Sequence, residues 1–173
     1  MKKLIIFSAF TAVMLSACKP DNDFSIGTPQ NRMAQLAGNW KLQSATQTDL
    51  KAKSYNYNDP SRPDVSLITQ DITAAYPFNT ITLSFAEDAA NAPTTFTANY
   101  GAAPKIFKLT TGTWKVDNLA TPGAIRLING TDTTKTILGS VNTLSAGLLN
   151  IQLTKYDVSN KPAIQYNYIF KKN

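Results

Sequence analysis

The residue types that most often carry out catalysis are scarce in this chain. It has no histidine, a single cysteine and 11 acidic residues. Without histidine, neither a Ser-His-Asp triad nor a Cys-His pair can form, and the commonest metal ligand is missing. The acidic residues fall mostly in predicted turns, and they do not form a calcium loop. Two carboxylates from distant strands could still meet, as in glycosidases, but no pattern favours this. We expect no enzymatic activity, no cofactor and no metal.

Cys18 follows a segment typical of secreted bacterial proteins. Lys2 and Lys3 precede an apolar run at residues 4–15. That run is shorter than the roughly 20 residues of a membrane-spanning helix, but it suits the apolar part of a signal peptide. The motif Leu15-Ser16-Ala17-Cys18 resembles a bacterial lipobox, in which the cysteine is acylated and becomes the first residue of the mature protein. The resemblance implies a lipid on Cys18. The alternative is a spare thiol in an ordinary signal peptide.

This interpretation divides the chain into three segments. Residues 1–17 are the lipoprotein signal peptide, residues 18–35 are a lipidated flexible tether, and residues 36–173 are one folded domain. The tether is polar and contains glycine and proline. Its start, Lys19 to Asp23, resembles the surface-export signal of lipoproteins from Bacteroidetes bacteria, although Pro20 interrupts the acidic run. We therefore predict a lipid anchor in the cell outer membrane, facing either the cell surface or the periplasm.

Composition supports one globular domain without disulfides. Hydrophobic residues make up 43% and charged residues 16% of the chain, which suits a folded protein rather than a disordered one. The formal charge is +6, but the basic residues are scattered apart from Lys171-Lys172. This gives no support for nucleic-acid binding. With one cysteine, the core alone must stabilise the domain, and we expect a monomer attached to the membrane only through Cys18.

Alternation of apolar and polar residues predicts an all-β domain. In the first strand, residues 38–47, Trp40 and Leu42 share one face. Asn129-Gly130 indicates a hairpin, because both residues accept positive φ. Short connections pair neighbouring strands antiparallel, and about eight such strands close most economically as an up-and-down barrel. The other predicted strands are residues 78–85, 94–100, 107–116 with a bend at Gly112, 124–128, 133–141, 148–156 and 163–170.

The section between the first two of these strands, residues 48–77, is the only long irregular one. It is rich in Tyr, Asn, Asp and Pro. Residues 64–75 predict a short helix, because Asp64 is a suitable N-cap and Ile68 and Ile72 would share one side.

Three motifs in the domain resemble a known family. Leu36-Ala37-Gly38-Asn39-Trp40-Lys41-Leu42 resembles the Gly-x-Trp kernel of lipocalin-like domains. Thr82-Leu83-Ser84-Phe85 and Gly112-Thr113-Trp114-Lys115-Val116-Asp117 are similar to segments of Bacteroidetes lipoproteins that carry lipocalin-like domains without an assigned function. The resemblance spans about residues 36–173. It implies an antiparallel lipocalin-like barrel with one short helix in the insertion after the first strand, and it transfers no catalytic residues. The chain departs from typical lipocalins in having no cysteine after Cys18 and a long section after the first strand.

Aromatic residues are the remaining candidates for function. Tyr55, Tyr57 and Tyr76 lie in the polar insertion, where they could stack on a sugar or cover an apolar ligand at the barrel mouth. The alternative is a loop held to the barrel by buried rings. The other aromatic residues of interest are expected to fill the barrel, which has room for side chains or one small ligand: Trp40, Phe85, Phe96, Trp114, Tyr166, Tyr168 and Phe170.

Together these features predict an envelope-anchored lipoprotein whose domain binds a small molecule, a glycan fragment or a protein. The alternative is a structural or accessory subunit of an envelope complex, without a small-molecule ligand. A cavity open at the end that carries residues 48–77 would favour the first function. A filled interior with an exposed apolar face would favour the second.

Overall fold

The computed structural model describes residues 31–51 and 68–173. Cys18, Tyr55 and Tyr57 lie outside the described residues. Within the described part of the chain, we find no helix with the length and hydrophobicity needed to span a membrane. These residues form one short α-helix, α1 at Met33–Leu36, two 3₁₀ segments, Phe78–Thr80 and Val141–Ala146, and nine strands: β1 Gly38–Asp49, β2 Ile68–Asp71, β3 Thr82–Glu87, β4 Pro93–Asn99, β5 Thr111–Val116, β6 Ala124–Asn129, β7 Asp132–Leu138, β8 Leu148–Tyr156 and β9 Pro162–Lys172.

Eight of the strands form a closed antiparallel barrel, which confirms the predicted fold class. From β3 onward each strand pairs with the next one in sequence, and β9 pairs back onto β1. This closing pair runs from Trp40 opposite Lys172 to Asp49 opposite Ile164. Strand β2 pairs only with the second half of β1 and stands outside the barrel order.

A β-bulge between Leu42 and Ser44 changes which side chains of β1 face the interior. Trp40 and Leu42 are buried before the bulge, whereas Ala45 is buried after it. A bulge inserts one extra residue into one strand of a pair, so the inward-facing positions shift by one. The alternation predicted for β1 therefore holds only for its first half, and beyond the bulge the odd-numbered residues face inward.

Helix α1 covers one end of the barrel, which we call the closed end. Met33 and Leu36 are fully buried, and Trp40 Nε1 donates a hydrogen bond of 2.8 Å to the Leu36 carbonyl. Lys172 Nζ lies 5.4 Å from the centre of the Trp40 ring system and donates to the Ala34 carbonyl at 3.2 Å. The last residues assigned to the tether in the sequence analysis thus pack onto the barrel.

The aromatic residues expected in the interior are found there. Tyr166 is half-buried, and the other six are at most 5% exposed. Phe85 and Trp114 contact each other with ring centroids 5.0 Å apart. Trp114 Nε1 also donates to the Ala86 carbonyl at 2.7 Å, so both indole N–H groups of the chain donate to a backbone carbonyl.

The helical segment after β1 is present, but it lies later in the chain than predicted. Residues 64–67 are outside the described part, and the prediction of a helix is wrong for Ile68–Asp71, which is strand β2. The helical turn is the 3₁₀ segment Phe78–Thr80, in place of the start of a predicted strand. The second half of β1 presents backbone groups that β3 does not reach, and β2 pairs with them. Local sequence pattern carries no information about that free edge.

The strand predicted at residues 107–116 begins only at Thr111. In the preceding loop, the Tyr100 hydroxyl donates to the Leu109 carbonyl at 3.2 Å and accepts from the Phe107 N–H at 3.3 Å. These backbone groups are therefore not free to continue a strand. Phe107 and Leu109 are nevertheless buried, which explains why their pattern resembles a strand.

The hairpin predicted from Asn129-Gly130 is present, but its loop lies one residue later than predicted. Strands β6 and β7 pair as far as Asn129 opposite Asp132, so Gly130 and Thr131 form the two-residue loop. Gly130 has a φ of +60°, a value that two-residue hairpin turns require and that glycine adopts without a steric penalty.

Gly112 in β5 lies very close to the backbone of β6, and this yields a stability prediction. Its φ is +147°, and a Cβ at this position would stand 2.1 Å from the Ile128 carbonyl oxygen. Replacing Gly112 with alanine should strain the backbone and separate β5 from β6. We predict a loss of about 2–5 kcal/mol in the free energy of unfolding, measured by urea denaturation.

The matched control for this prediction is Gly130→Ala. It adds the same methyl group at a positive φ, but no atom lies within 4 Å of the new Cβ. Its expected cost is about 1–2 kcal/mol, from backbone strain alone. Equal losses for the two variants would contradict the proposed clash with β6.

Candidate functional site

The barrel end opposite α1, which we call the open end, contains a pocket of about 390 Å³. Small-molecule sites in proteins have volumes of roughly 300–1,000 Å³. One part of its wall comes from the barrel itself, where β1, β8 and β9 approach the open end. This part consists of Gln47, Leu153, Lys155, Tyr166 and Tyr168.

A second part of the wall is the segment that follows β2. Ile72 N–H donates to the Ala45 carbonyl and Thr73 Oγ1 accepts from Ala45 N–H, both at 2.9 Å. Asp71 accepts from Thr73 N–H at 2.8 Å, and hydrogen bonds from the side chain and backbone of Thr73 lower the pKa of Asp71. The segment is thereby fixed to β1 at the bulge. Beyond it, the chain contributes Ala75, Tyr76 and Phe78 to the wall.

The third part of the wall is the loop between β4 and β5, which contributes Pro104, Lys105 and Ile106. Tyr100 holds this loop through its hydrogen bonds to Phe107 and Leu109. Burial raises the pKa of Tyr100 to about 12, against the opposing effect of the Phe107 backbone bond. The Tyr100 carbonyl also accepts a bond of 2.9 Å from Thr80 Oγ1. The loop and the 3₁₀ segment therefore support each other at the open end.

Four aromatic rings form a continuous row along the pocket. Tyr76 and Phe78 meet edge to face at 5.5 Å, Phe78 and Tyr168 do so at 6.2 Å, and Tyr168 and Tyr166 lie nearly parallel at 6.1 Å. Ring contacts of this kind hold aromatic side chains in fixed positions. The row therefore offers a ligand a prearranged apolar surface with hydroxyl groups along it.

The hydroxyl group of Tyr168 is the most unusual polar group of the pocket. No described residue hydrogen-bonds to it, although Tyr168 is only 5% exposed. Burial, with a smaller contribution from Tyr166, raises the pKa of Tyr168 to about 12. At neutral pH the group is thus a protonated phenol that can donate a hydrogen bond to a ligand.

The charged residues in the described pocket wall are both lysines. Lys105 and Lys155 are exposed, and neither forms an ion pair with a described residue. Other lysines near the open end do: Lys51 pairs with Asp157, and Lys108 Nζ lies 3.0 Å from Asp132 Oδ1. The pocket therefore carries positive charge that the described part of the chain does not neutralise.

Several acidic residues are engaged in turns rather than in the pocket. Asp88 accepts backbone N–H bonds from Ala90 and Ala92 at 2.9 and 2.8 Å. Lys51 and the backbone of the β8–β9 turn lower the pKa of Asp157. Among the described residues, we find no group of three or more acidic, histidine or cysteine side chains that could hold a metal ion.

The pocket lies at the barrel end that the sequence analysis associated with a ligand, but most residues of its wall were not predicted to bind one. Of the predicted ligand-binding residues, Tyr76 lies in the wall with 53% of its surface exposed. Tyr55 and Tyr57 are outside the described residues, so their part in the site stays a prediction. Gln47 and the two lysines were missed. Gln47 was missed because the bulge shifts the inward-facing positions of β1 by one residue. Lys105 was missed because it lies between two predicted strands, where the sequence pattern gives no side-chain direction.

The fold and the pocket define a class: a small closed β-barrel with a ligand-sized pocket at one end, compatible with a lipocalin-like binding domain. Residues 16–171 match the family described as a domain of unknown function (DUF5004), and the chain belongs to this family. A search of curated proteins found no match to the sequence.

The raised pKa of Tyr168 predicts how stability depends on pH. Because the folded pKa of about 12 exceeds the ordinary value of 10.0, the neutral phenol stabilises the fold fully below pH 10. This contribution is lost as the pH rises to about 12. We expect Tyr168→Phe to lose stability less steeply than the wild type across this window, in urea unfolding at several pH values.

Tyr156→Phe is the control for this experiment, since Tyr156 is 57% exposed and lies outside the pocket. It should follow the wild-type profile. At pH 7 the Tyr168→Phe variant should remain within about 1 kcal/mol of the wild type, because no described hydrogen bond is lost. A Tyr168→Phe profile as steep as that of the wild type would show that the buried phenol is not responsible.

Proposed function

We propose that this protein is an envelope lipoprotein whose barrel binds a small molecule in the pocket at the open end. The observation that supports the proposal is the pocket itself. It lies at the end of the barrel where the sequence analysis expected a cavity in a ligand-binding protein, next to the long section after the first strand. Its row of four rings offers apolar contact, and Gln47 and Tyr168 add polar groups that can orient a ligand. Sites of this composition, mostly apolar with a few polar groups, are typical of small-molecule binding.

The lipid anchor is the second part of the proposal. The motif at Cys18 and the resemblance to lipocalin-like lipoproteins of Bacteroidetes support acylation and attachment to the outer membrane. Asn31, the first described residue, lies beside α1, where its side chain accepts a hydrogen bond of 2.9 Å from Met33 N–H. A tether from Cys18 would join the barrel at the closed end, opposite the pocket.

A specific observation also favours the accessory-subunit function. Strands β7 and β8 pair only at Ile137–Gln152 and Leu138–Ile151. A shallow groove lies between these two strands on the outer surface of the barrel. Ile137 and Tyr156 in this groove are 50% and 57% exposed. Exposed apolar residues that share a groove are a possible contact for a partner protein. We propose no enzymatic activity for either function.

Substitution of Cys18 tests the anchor. Because Cys18 is the only cysteine, Cys18→Ala leaves no other thiol for the lipid. Produced in a bacterium that processes lipoproteins, the wild type should incorporate an alkyne analogue of palmitate and remain in the membrane fraction. The variant should incorporate none. An unlabelled wild type, or a mature chain that starts at another residue, would refute the anchor.

A pocket-filling substitution tests ligand binding. Ala75 is exposed and belongs to the wall, whereas its neighbour Ala74 is exposed and does not. We expect native mass spectrometry of protein isolated from its own cells to detect a bound small molecule. Ala75→Trp should lose that ligand, because the indole would occupy the pocket, and the matched control Ala74→Trp should retain it.

Two other outcomes of the same experiment have clear meanings. A stoichiometric protein partner without a small molecule would favour the accessory-subunit function instead. A small molecule retained equally by both variants would place its binding site elsewhere on the protein.

A further inference from the structure

We infer that the ligand of the open-end pocket is an organic anion, a carboxylate joined to an apolar body. The inference rests on the proposed binding function and adds the charge class of the ligand. It comes from two features of the same wall: positive charge without a described counter-charge, and apolar surface next to it.

The charge comes from two separate elements that line the same pocket in the folded chain. Lys155 lies near the end of β8, and Lys105 lies in the β4–β5 loop that Tyr100 holds in place. The described wall contains no acidic residue, whereas Lys51 and Lys108 nearby are paired with aspartates. A concave site lined by charge of one sign attracts ligands of the opposite sign. A neutral ligand would gain nothing from this charge, whereas an anionic one would be attracted by it.

The hydrogen-bonding groups of the wall suit the same ligand. A carboxylate only accepts hydrogen bonds, and lysine only donates them. The Tyr168 hydroxyl has no described partner and stays protonated at neutral pH, so it can donate as well. Bonds between charged donors and carboxylates are about twice as strong as neutral ones.

The apolar part of the ligand has a surface of matching character. The four-ring row lies on one side, and Ile72, Ile106 and Leu153 complete the apolar wall. A volume of about 390 Å³ suits one small molecule with a single charged end. The lysines are exposed, so they can meet the carboxylate at the pocket mouth while its body is buried.

Three probes with the same ten-carbon chain test the charge: decanoate, decanol and decyltrimethylammonium. Every described strand pair and core residue lies within residues 31–173, so a chain from residue 19 onward contains the whole described fold. Binding to this chain is measured by isothermal titration calorimetry below the micelle concentrations. We expect decanoate to bind about tenfold more tightly than decanol, with an affinity that falls as salt is raised. Decyltrimethylammonium should bind more weakly than either.

Variants link the preference to the two lysines. Lys105→Met with Lys155→Met should lower decanoate affinity about tenfold and leave decanol affinity unchanged. Lys108→Met, which removes a lysine outside the described wall, is the control and should bind decanoate as the wild type does. Ala75→Trp should abolish binding of both probes. Because the substituted lysines are exposed, unfolding curves of these variants should match the wild type.

The outcomes distinguish the inference that the ligand is an anion from the proposal that the pocket binds a small molecule. Equal affinities for decanoate and decanol, both lost in Ala75→Trp, would overturn the anionic ligand and leave the binding pocket standing. A decanoate preference that survives the double lysine substitution, or binding that survives Ala75→Trp, would also overturn the inference. If none of the three probes binds, the inference is overturned, while the small-molecule function is decided by the native mass spectrometry experiment with Ala75→Trp and Ala74→Trp.

Discussion

Strand β1 pairs along both of its edges, and this constraint organises the molecule. One edge pairs with β9 and closes the barrel. The other pairs with β3 at residues 38–41 and with β2 at residues 46–49. Strand β3 reaches only the first half of β1. The chain therefore returns along β1 as strand β2, which pairs with the backbone groups of the second half. Without β2, these backbone groups would lack a partner in the sheet. That return brings the segment with Tyr76 and Phe78 to the open end. The pocket is therefore a consequence of how the barrel completes its hydrogen bonding.

The inward-facing side chains of β1 differ between the two ends of the barrel, which we call the filled half and the open half. Near the closed end, Trp40, Trp114 and Phe170 are fully buried. Past the bulge, β1 presents Ala45 and Gln47 instead, one small and one polar. An eight-stranded barrel has room for packed side chains or for one small ligand. In this protein both tryptophans lie in the filled half, and the space for a ligand begins past the bulge, where β1 presents these smaller or polar side chains.

The sequence predicted the features that depend on local patterns. Alternation identified most strands and the buried aromatic residues, and Asn129-Gly130 identified a hairpin. What it missed depends on contacts between distant residues. Strand β2 exists because β1 has an unpaired edge, the loop before β5 is fixed by the Tyr100 hydroxyl, and Lys105 and Lys155 meet only through tertiary structure. The long section after the first strand therefore indicated the barrel end at which the pocket lies, but the sequence did not predict the charge of the pocket.

The distribution of the aromatic residue types provides two optical signals. Both tryptophans of the chain lie in the filled half, whereas the described pocket wall contains tyrosine and phenylalanine but no tryptophan. Emission from the indoles therefore reports on the packing of the closed half, and near-ultraviolet absorption by the tyrosines includes a contribution from the pocket. The two halves of the barrel can be followed separately in one unlabelled sample, so that opening of the pocket can be distinguished from unfolding of the core.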